Sequence, residues 1–266
     1  MKKSLILLLF CIFAVLSGSC KAKNTLKVAA TPTPHAELLA FIKPDLEKEG
    51  VSLEIIEIED YNLPNRSLSE KQIDANFFQH IPFLEKQMQE FGYKLQALAK
   101  IHIEPMGIYS KRISDLSQVP DKGIVAIPSD PSNEKRALQL LEKSGLITLQ
   151  KENRQKGTIL DIVDNPKGLQ ILEVDAAMLP RSLQDTDISV IPTNFALQAH
   201  LNPLENALFL EDKNSSYANV IVIREGDASR EDITKLVKLM TSEKMKNHIL
   251  EKYHGAIIPA FTPVQE

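Results

Sequence analysis

Two aromatic side chains, two amides and an imidazole follow one another in the run from Asn76 to His80. Aromatic rings can enclose the apolar part of a small molecule while amide and imidazole groups hydrogen-bond its polar part. The run lies where a predicted strand, Ala75 to Phe78, meets a predicted helix, Ile81 to Phe91, and open α/β sheets bind ligands at such joins. Because neighbouring strand residues face opposite ways, we expect one phenylalanine to line a pocket and the other to pack inward.

An arginine in another predicted helix could bind a carboxylate. The segment from Pro128 to Glu134 follows a strand and opens a helix that reaches Lys143, with Asp130 or Ser132 placed to cap it. Free backbone N–H groups at such a helix start form a seat for an anion. Arg136 lies one turn after Ser132, so its guanidinium could make a paired contact with a carboxylate there. The competing interpretation is a surface arginine paired with Asp130 or Glu134.

Further polar and aromatic residues fall at strand ends. Asn194 follows one predicted strand and Asn219 precedes another, so both could offer side-chain carbonyls to an ammonium group, although asparagines also form turns. Tyr61, Phe78 and His80 are expected at one sheet edge, where they could wrap an apolar or sulfur-bearing chain. A carboxylate clamp, amide carbonyls and an aromatic box together indicate a site for an α-amino acid with an apolar side chain.

Strands and helices alternate along the chain, which predicts parallel or mixed sheets with helices on both faces. Around the strand and helix already described, the first series contains strand Lys27 to Ala30, helix His35 to Glu49, strand Val51 to Ile58, helix Ser67 to Gln72, and one or two strands from Leu95 to Ser110 broken at Pro105. The second series contains strand Ile124 to Ile127, helix Ser132 to Lys143, strand Leu169 to Val174, helix Asp175 to Leu183 and strand Ile188 to Ile191. Strand Val220 to Ile223 and two helices, Asp227 to Met240 and Glu243 to Tyr253, follow.

The two series predict two α/β lobes, each a mixed sheet flanked by helices. We expect the chain to cross between them twice, near Tyr109 to Ser114 and near Asn219 to Arg224. The first lobe would comprise residues 26–110 and 222–266, and the second lobe residues 111–221. Two connecting strands form a hinge, and a cleft between hinged lobes can close over a small molecule.

The amino terminus has the pattern of an export signal. Lys2 and Lys3 precede an apolar run from Leu5 to Leu16, which is too short to span a bilayer as a mature helix. Small residues and then Cys20 follow, and this order resembles the bacterial lipoprotein signal, in which that cysteine becomes lipid-modified. We predict a signal peptide over residues 1–19, lipidation of Cys20 and a tether over 20–25, with a plain secretory signal as the alternative.

Charge and cysteine content restrict the possible functions. Cleavage before Cys20 removes Lys2 and Lys3 and takes the formal net charge from -4 to -6, which argues against binding of nucleic acid or anionic lipid through charge. Cys11 lies in the discarded segment, so no disulfide is expected within the mature chain. The fold must therefore be stabilised by its apolar core.

Several segments together resemble the methionine-binding lipoproteins of the MetQ/NlpA family. They are Asp74 to His80, Ile127 to Asp130 with Ser132, Asn133 and Arg136, Asn194, Tyr217 to Asn219, and the final stretch Gly255 to Phe261. Their order and spacing cover nearly the whole mature chain. The resemblance implies the two-lobed periplasmic binding protein fold of the second type, and a protein that captures methionine and delivers it to the permease and ATPase subunits of an ABC importer.

The resemblance also implies roles for individual residues. Arg136 would hold the ligand carboxylate, and Asn194 and Asn219 the ammonium. The thioether side chain would contact Tyr61, Phe78 and His80, with Asn76, Phe77 and Tyr109 as further pocket members. The family often has Gly-Asn-Tyr around Asn194, where this chain has threonine and phenylalanine as neighbours, so side-chain selectivity stays open. The location implied is a bacterial cell membrane, lipid-anchored and facing the periplasm or the exterior.

Other functions are alternatives to the capture of methionine. Within the same fold, the ligand could be a short peptide containing methionine, or another apolar amino acid. A metal-import binding protein is suggested by His35, His80, His102 and Glu104, although they lack the spacing of a strong metal motif. An anchored hydrolase is disfavoured because the chain has no nucleophile-elbow, zinc-protease or phosphate-loop motif. We therefore predict a binding protein with neither an enzymatic activity nor a cofactor.

Overall fold

The computed structural model describes residues 25–150, 157–213 and 215–263. The predicted signal peptide, Cys20 and nearly all of the tether lie outside these ranges. Among the helices within them, none has the length and apolar character needed to cross a bilayer.

The described chain forms two main sheets and a small two-stranded one. Its strands in chain order are β1 (Thr25–Ala30), β2 (Ser52–Glu57), β3 (Ala75–His80), β4 (Leu95–Ile103), β5 (Gly107–Tyr109), β6 (Ile124–Pro128), β7 (Thr148–Leu149), β8 (Ile162–Asp164), β9 (Gln170–Val174), β10 (Ile188–Ile191), β11 (Phe209–Leu210), β12 (Ala218–Arg224) and β13 (Ile258–Pro263). Its helices are α1 (Glu37–Lys48), α2 (Leu63–Ser69), α3 (Ile81–Phe91), α4 (Pro131–Lys143), α5 (Leu179–Ser182), α6 (Thr193–Gln198), α7 (Pro203–Asn206), α8 (Glu231–Met240) and α9 (Glu243–Tyr253).

Both main sheets are mixed. The six-stranded sheet has the order β13-β4-β12-β3-β1-β2, in which β1 runs parallel to β2 and β3 while β12 runs antiparallel to β3 and β4. The five-stranded sheet has the order β11-β5-β10-β6-β9. We call the first sheet with α1–α3, α8 and α9 the first lobe, and the second sheet with α4–α7 the second lobe. The predicted α/β fold with two mixed sheets is confirmed.

The described chain passes between the lobes at residues 104–106, and again at residues 211–213 with 215–217; we call these two connections the crossing segments. They lie side by side: the Glu211 N–H donates to the Met106 carbonyl at 2.8 Å, and the Met106 N–H donates to Glu211 Oε2 at 3.2 Å. The sequence placed the first crossing near Tyr109 to Ser114, but β5 already belongs to the second sheet. It placed the second crossing near Asn219 to Arg224, but β12 lies entirely in the first sheet. The sequence marks a break at Pro105, but it carries no sign that the chain changes sheet there.

Helix boundaries differ from the sequence prediction where proline sets the first turn. Helix α2 begins at Leu63 with Pro64 in its first turn, and Lys71, with a φ of 63°, follows its end. The prediction of a continuous helix from Asp175 to Leu183 was wrong, because Asp175 caps a short 3₁₀ turn and α5 then starts at Leu179, with Pro180 in its first turn. The predicted start of α8, at Asp227, was also early by a few residues, whereas the predicted start of α1, at His35, lies in a π-helical turn, Pro32–Ala36, that runs directly into α1.

The first lobe is stabilised by a core between its sheet and α1, α8 and α9. Leu39 in α1 is fully buried there, whereas Leu160, in a short turn of the second lobe, is 87% exposed. Because both residues are leucines, the same substitution by alanine at each position shows the effect of burial alone.

We expect Leu39→Ala to lower the free energy of unfolding by about 2–5 kcal/mol, since it removes apolar contacts and leaves a cavity. Leu160→Ala, as the matched control, should change it by about 0.5 kcal/mol or less. Urea unfolding followed by circular dichroism measures both values. Equal losses in the two variants would contradict the core described here.

Candidate functional site

A small cavity lies between the two lobes, next to the crossing segments. Six residues that the sequence singled out line it: Tyr61, Phe78, His80, Arg136, Asn194 and Asn219. Six others complete the wall: Gln79, Phe83, Glu104, Asn133, Pro192 and Thr193. The cavity volume is about 20 Å³, close to the room that one water molecule needs. The two lobes therefore nearly meet at this site.

Aromatic rings form one side of the cavity. Tyr61 lies 5.8 Å from Phe78 and 5.8 Å from Phe83, and these two phenylalanines lie 5.7 Å apart, all measured between ring centroids. Phe195 of the second lobe approaches Tyr61 to 5.1 Å. Phe83 was not predicted, because its helical spacing in α3 is equally typical of a core residue. The predicted meeting of Tyr61 with Phe78 is present.

Strand β3 separates the cavity from the core of the first lobe. Phe78 lines the cavity, whereas Phe77 points the other way and packs edge-on to His35 at 4.6 Å. Asn76 also lies away from the cavity: its Nδ2 donates to Asn65 Oδ1 at 2.9 Å, within a buried amide network that includes Gln79. The predicted alternation of the two phenylalanines is thus observed, and neither Asn76 nor Phe77 is among the lining residues.

Tyr109, the third of the further pocket members suggested by the sequence, lies in the core of the second lobe with Ile191 and Phe195. Its hydroxyl has no hydrogen-bond partner among the described residues, and burial raises its pKa above the ordinary range. The residue lies on β5, which the sequence assigned to the first lobe. Because β5 belongs to the second sheet, the Tyr109 ring lies behind the cavity wall.

His80 joins the two lobes as a neutral hydrogen-bonding group. Its Nδ1 accepts from the Phe83 N–H at 3.2 Å, which caps α3, and its Nε2 lies 3.1 Å from Asn133 Oδ1. Nδ1 must therefore be unprotonated and Nε2 the donor. Burial, together with the nearby charge of Arg136, lowers the pKa of His80 to about 3.

The guanidinium of Arg136 is buried beside the crossing segments. Its Nη2 donates to the Glu104 carbonyl at 2.6 Å, and its Nε lies 3.1 Å from each carboxylate oxygen of Glu211. Nη2 also contacts Glu211, and the Tyr217 ring lies 4.4 Å from the guanidinium carbon. Arg136 is therefore neither at the surface nor paired with the acidic residues near its helix start.

The start of α4 differs from the expected anion seat. The carboxylate of Asp130 accepts from the Asn133 N–H at 3.0 Å and from the Ser132 hydroxyl at 2.9 Å. The helix thus caps itself with its own acidic side chain, as Asp at an N-cap commonly does. An anionic ligand would have to be held by Arg136 instead.

The two asparagines belong to different lobes. Asn194 lies in the first turn of α6, and its Oδ1 accepts from the Tyr61 hydroxyl at 2.7 Å across the gap between the lobes. Its Nδ2 is buried without a hydrogen-bond partner among the described residues. Asn219 lies in β12, in register with His80 on one side and His102 on the other. Both side chains face the cavity that the sequence predicted for them.

Glu104 is a charged residue of the cavity wall that the sequence did not indicate as part of the ligand site. Its Oε1 lies 2.6 Å from Nε2 of His102 and 3.2 Å from Nε2 of His35. Burial alone would raise the pKa of the Glu104 carboxyl, but the two histidines and the charge of Arg136 together outweigh burial and keep that pKa below its usual range. Burial lowers the pKa of His35 to about 4.

Glu104, His102 and His35, together with His80, were the basis of the metal-import alternative. The potential ligand atoms of Glu104, His102 and His35 lie within 4.8 Å of one another, so the structure does bring these three residues together. His80, the fourth residue proposed for that site, is instead hydrogen-bonded to Asn133. The sequence contained one sign of this cluster: His102 and Glu104 lie two positions apart and therefore share one face of the extended chain.

Comparison with known proteins identifies the relatives of this chain. The profile of the family described as NlpA lipoprotein matches residues 26–261. The chain is 37% identical to the methionine-binding lipoprotein MetQ of Bacillus subtilis, covering 97% of this chain and 99% of that protein. It is 42% identical to the D-methionine-binding lipoprotein MetQ of Salmonella typhi, covering 80% of this chain and 79% of the relative.

The fold is similar to solved structures of proteins with related names. A nutrient-binding protein from Burkholderia cenocepacia, determined with bound methionine, superimposes with a TM-score of 0.86 and 40% sequence identity. The match covers 89% of this chain and 100% of that one. These relatives do not favour the metal-import alternative.

Two of the three buried histidines in the cavity region, His35 and His80, predict a pH-dependent stability. Their pKa values in the folded protein, about 4 for His35 and about 3 for His80, lie below the ordinary value of 6.5. As the pH falls below that ordinary value, the unfolded chain takes up protons that the folded protein does not. The free energy of unfolding should then fall by up to about 1.4 kcal/mol per pH unit for each histidine.

Urea unfolding at a series of pH values between about 7 and about 5 measures this slope. In the variant His80→Gln one of the two groups is absent, so the slope should be shallower by up to about 1.4 kcal/mol per pH unit. A variant slope as steep as that of the wild-type protein would show that His80 is already charged when folded.

Proposed function

The chain belongs to the NlpA lipoprotein family, and from that membership and the geometry of its cleft we propose that it captures methionine between its two lobes. The observation that carries this proposal is the convergence of three kinds of group on one buried cavity: the guanidinium of Arg136, the amides of Asn194 and Asn219, and an aromatic wall. Relatives named for methionine binding, and a similar structure with methionine bound, support the same ligand.

Each part of the cavity suits one part of methionine. Arg136 would hold the carboxylate by charge-assisted hydrogen bonds. Asn194 and Asn219, one from each lobe, would offer oxygen atoms to the ammonium group. Tyr61 and Phe78 would surround the thioether, because sulfur packs favourably against aromatic rings. His80, neutral and already bonded to Asn133, would close the wall beside them.

The affinity required of such a site depends on enclosure. Methionine has about nine non-hydrogen atoms, and micromolar binding needs about -8 kcal/mol, or roughly -0.9 kcal/mol per atom. Ion pairs in open water contribute only about 0–1 kcal/mol, so a cleft open to solvent would fall short. Two lobes that shut around the ligand remove this limit, because polar contacts strengthen when water is excluded.

The lobes must also part to admit the ligand. The cavity of about 20 Å³ is too small for methionine, and two hydrogen bonds, Tyr61 to Asn194 and His80 to Asn133, join the lobes across it. Opening about the two crossing segments would break both bonds and expose the lining. The ligand would then replace direct contacts between the lobes by contacts with itself.

Capture of methionine outside the membrane serves transport. We propose that the protein delivers its ligand to the permease and ATPase subunits of an ABC importer, and that its role is binding without catalysis. Lipid on Cys20 would hold it at the bacterial cell membrane, facing the periplasm or the exterior. The signal peptide over residues 1–19 and the tether over 20–25 belong to the same proposal.

The clamp residues give a direct test by calorimetry with methionine. Arg136→Ala and Asn219→Ala should each weaken binding by at least about tenfold, since each leaves a buried charged group of the ligand without its partner. Arg112→Ala is the matched control, because Arg112 is a half-exposed arginine of the second lobe paired with Asp187. Its affinity for methionine should stay within about twofold of the wild-type value.

Unchanged affinity in a folded Arg136→Ala protein would refute the assignment of the carboxylate clamp. Absence of methionine binding by the wild-type protein would refute the proposed ligand itself. Circular dichroism and thermal unfolding of each variant separate loss of binding from loss of folding.

The lipid anchor is tested separately in bacterial cells that express the full chain. Cys20→Ser removes the thiol to which lipid would be attached, and a single acyl chain binds membranes only weakly, so stable anchoring needs the complete modification. We expect the wild-type protein to partition into detergent in a Triton phase separation and the variant to lose this behaviour. Detergent partitioning by the variant would contradict lipidation at Cys20.

A further inference from the structure

Two acidic side chains and one basic side chain decide the charge at the cavity. Arg136 and Glu104 line it, and Glu211 lies behind Arg136. Glu211 and Arg136 also line a separate groove on the outer side of α4, together with Tyr217. The guanidinium thus separates the cavity from this groove, and its counter-ion lies on the groove side.

Glu211 already neutralises the guanidinium. Both carboxylate oxygens of Glu211 contact Arg136, and both partners are buried, with 10% and 4% of their side chains exposed. Attraction between such charges is strong because water does not screen it. A ligand carboxylate that meets Arg136 therefore meets an ion pair with no net charge, and gains less than it would from an isolated cation.

The carboxylate of Glu104, by contrast, makes its closest contacts with two imidazoles, while Arg136 bonds the Glu104 backbone carbonyl and is itself paired with Glu211. His102 donates from Nε2 to Glu104 Oε1, and its Nδ1 is buried without a partner among the described residues. A proton on that nitrogen would leave a buried N–H group without a hydrogen-bond partner, which is costly. The Nδ1 of His35 lies 2.7 Å from the Thr31 hydroxyl, and burial keeps this ring neutral.

Among the described residues, these contacts leave the Glu104 carboxylate in the cavity wall without a permanently charged partner of its own. A buried carboxylate without a counter-charge is unfavourable, and a cation arriving beside it relieves that cost. Methionine brings such a cation in its α-ammonium group. Asn194 and Asn219 can bond the ammonium but supply no charge to balance it.

We propose that Glu104 is the counter-ion of the ligand's ammonium group, and that this site discriminates ligands by their ammonium more strongly than by their carboxylate. The inference rests on the proposed function, since it takes an α-amino acid as the ligand. It assigns a specificity-determining role to a residue that otherwise serves as a partner for two histidines. Arg136 then orients the carboxylate, while Glu104 supplies the charge selection.

Two analogues of methionine separate the contributions of its charged groups. In methylthiopropylamine the carboxylate is replaced by hydrogen, and in methylthiobutanoate the ammonium is replaced by hydrogen, so neither adds bulk. We expect the wild-type protein to bind the amine at least about tenfold more tightly than the acid in competition calorimetry against methionine. Tighter binding of the acid would overturn the proposal.

The variant Glu104→Gln keeps the size of the side chain and removes its charge. We expect the preference for the amine over the acid to fall to about threefold or less, since the ammonium loses its counter-ion. Glu37→Gln is the matched control: Glu37 is a partly buried carboxylate bonded to Tyr253 at 2.6 Å, away from the cavity. Its preference should equal that of the wild-type protein, and an unchanged preference in Glu104→Gln would overturn the proposal.

A reciprocal variant keeps the test decisive if Glu104→Gln does not fold. Glu211→Gln removes the charge that neutralises Arg136, so the acid should gain at least about fivefold in affinity relative to the amine. No relative gain would show that Glu211 does not mask the guanidinium and would overturn the charge balance argued here. If the wild-type protein binds methionine while these preferences fail, only the present inference falls, whereas failure to bind methionine removes the proposed function and the inference together.

Discussion

A buried guanidinium is the constraint on which the rest of the site depends. Arg136 has only 4% of its surface exposed, and a charge so far from water is tolerated only where its N–H groups are bonded and its charge is balanced. One crossing segment supplies the carbonyl of Glu104, and the other supplies the carboxylate of Glu211 and the ring of Tyr217. Both connections between the lobes are thereby held against the helix that carries the arginine, and the cavity forms where they meet.

Strand β3 then determines which side chains reach that cavity. All six of its residues are buried, since sheet neighbours flank it on both edges and helices cover both faces. Phe77 on one face contributes to the core of the first lobe, while Phe78 and His80 on the other reach the cavity. The same alternation that stabilises the sheet therefore builds the aromatic wall, and the site needs no additional loop to position these rings.

Most polar groups of the site carry no charge, so its few charged side chains have a large influence on which ligand binds. Burial keeps His35 and His80 unprotonated, and the amides of Asn133 and Asn194 complete hydrogen bonds that join the lobes. In a medium of low polarity a single unbalanced charge affects ligand choice more than several hydrogen bonds do. Closure of the lobes and recognition of a zwitterion are therefore coupled, because the same side chains take part in both.

The sequence by itself determined the alternation of strands and helices, the two-sheet α/β fold, and six of the twelve residues that the structure places around the cavity. Those features follow from local spacing, strand alternation and the residues' resemblance to a family. The tertiary structure alone decided that Arg136 pairs with Glu211 rather than Asp130, and that Tyr109 and Asn76 lie behind the wall. Glu211 is 75 residues from Arg136 along the chain. Pairings at such distances depend on how the sheets pack and on where the chain changes sheet, and neither is recorded in local sequence pattern.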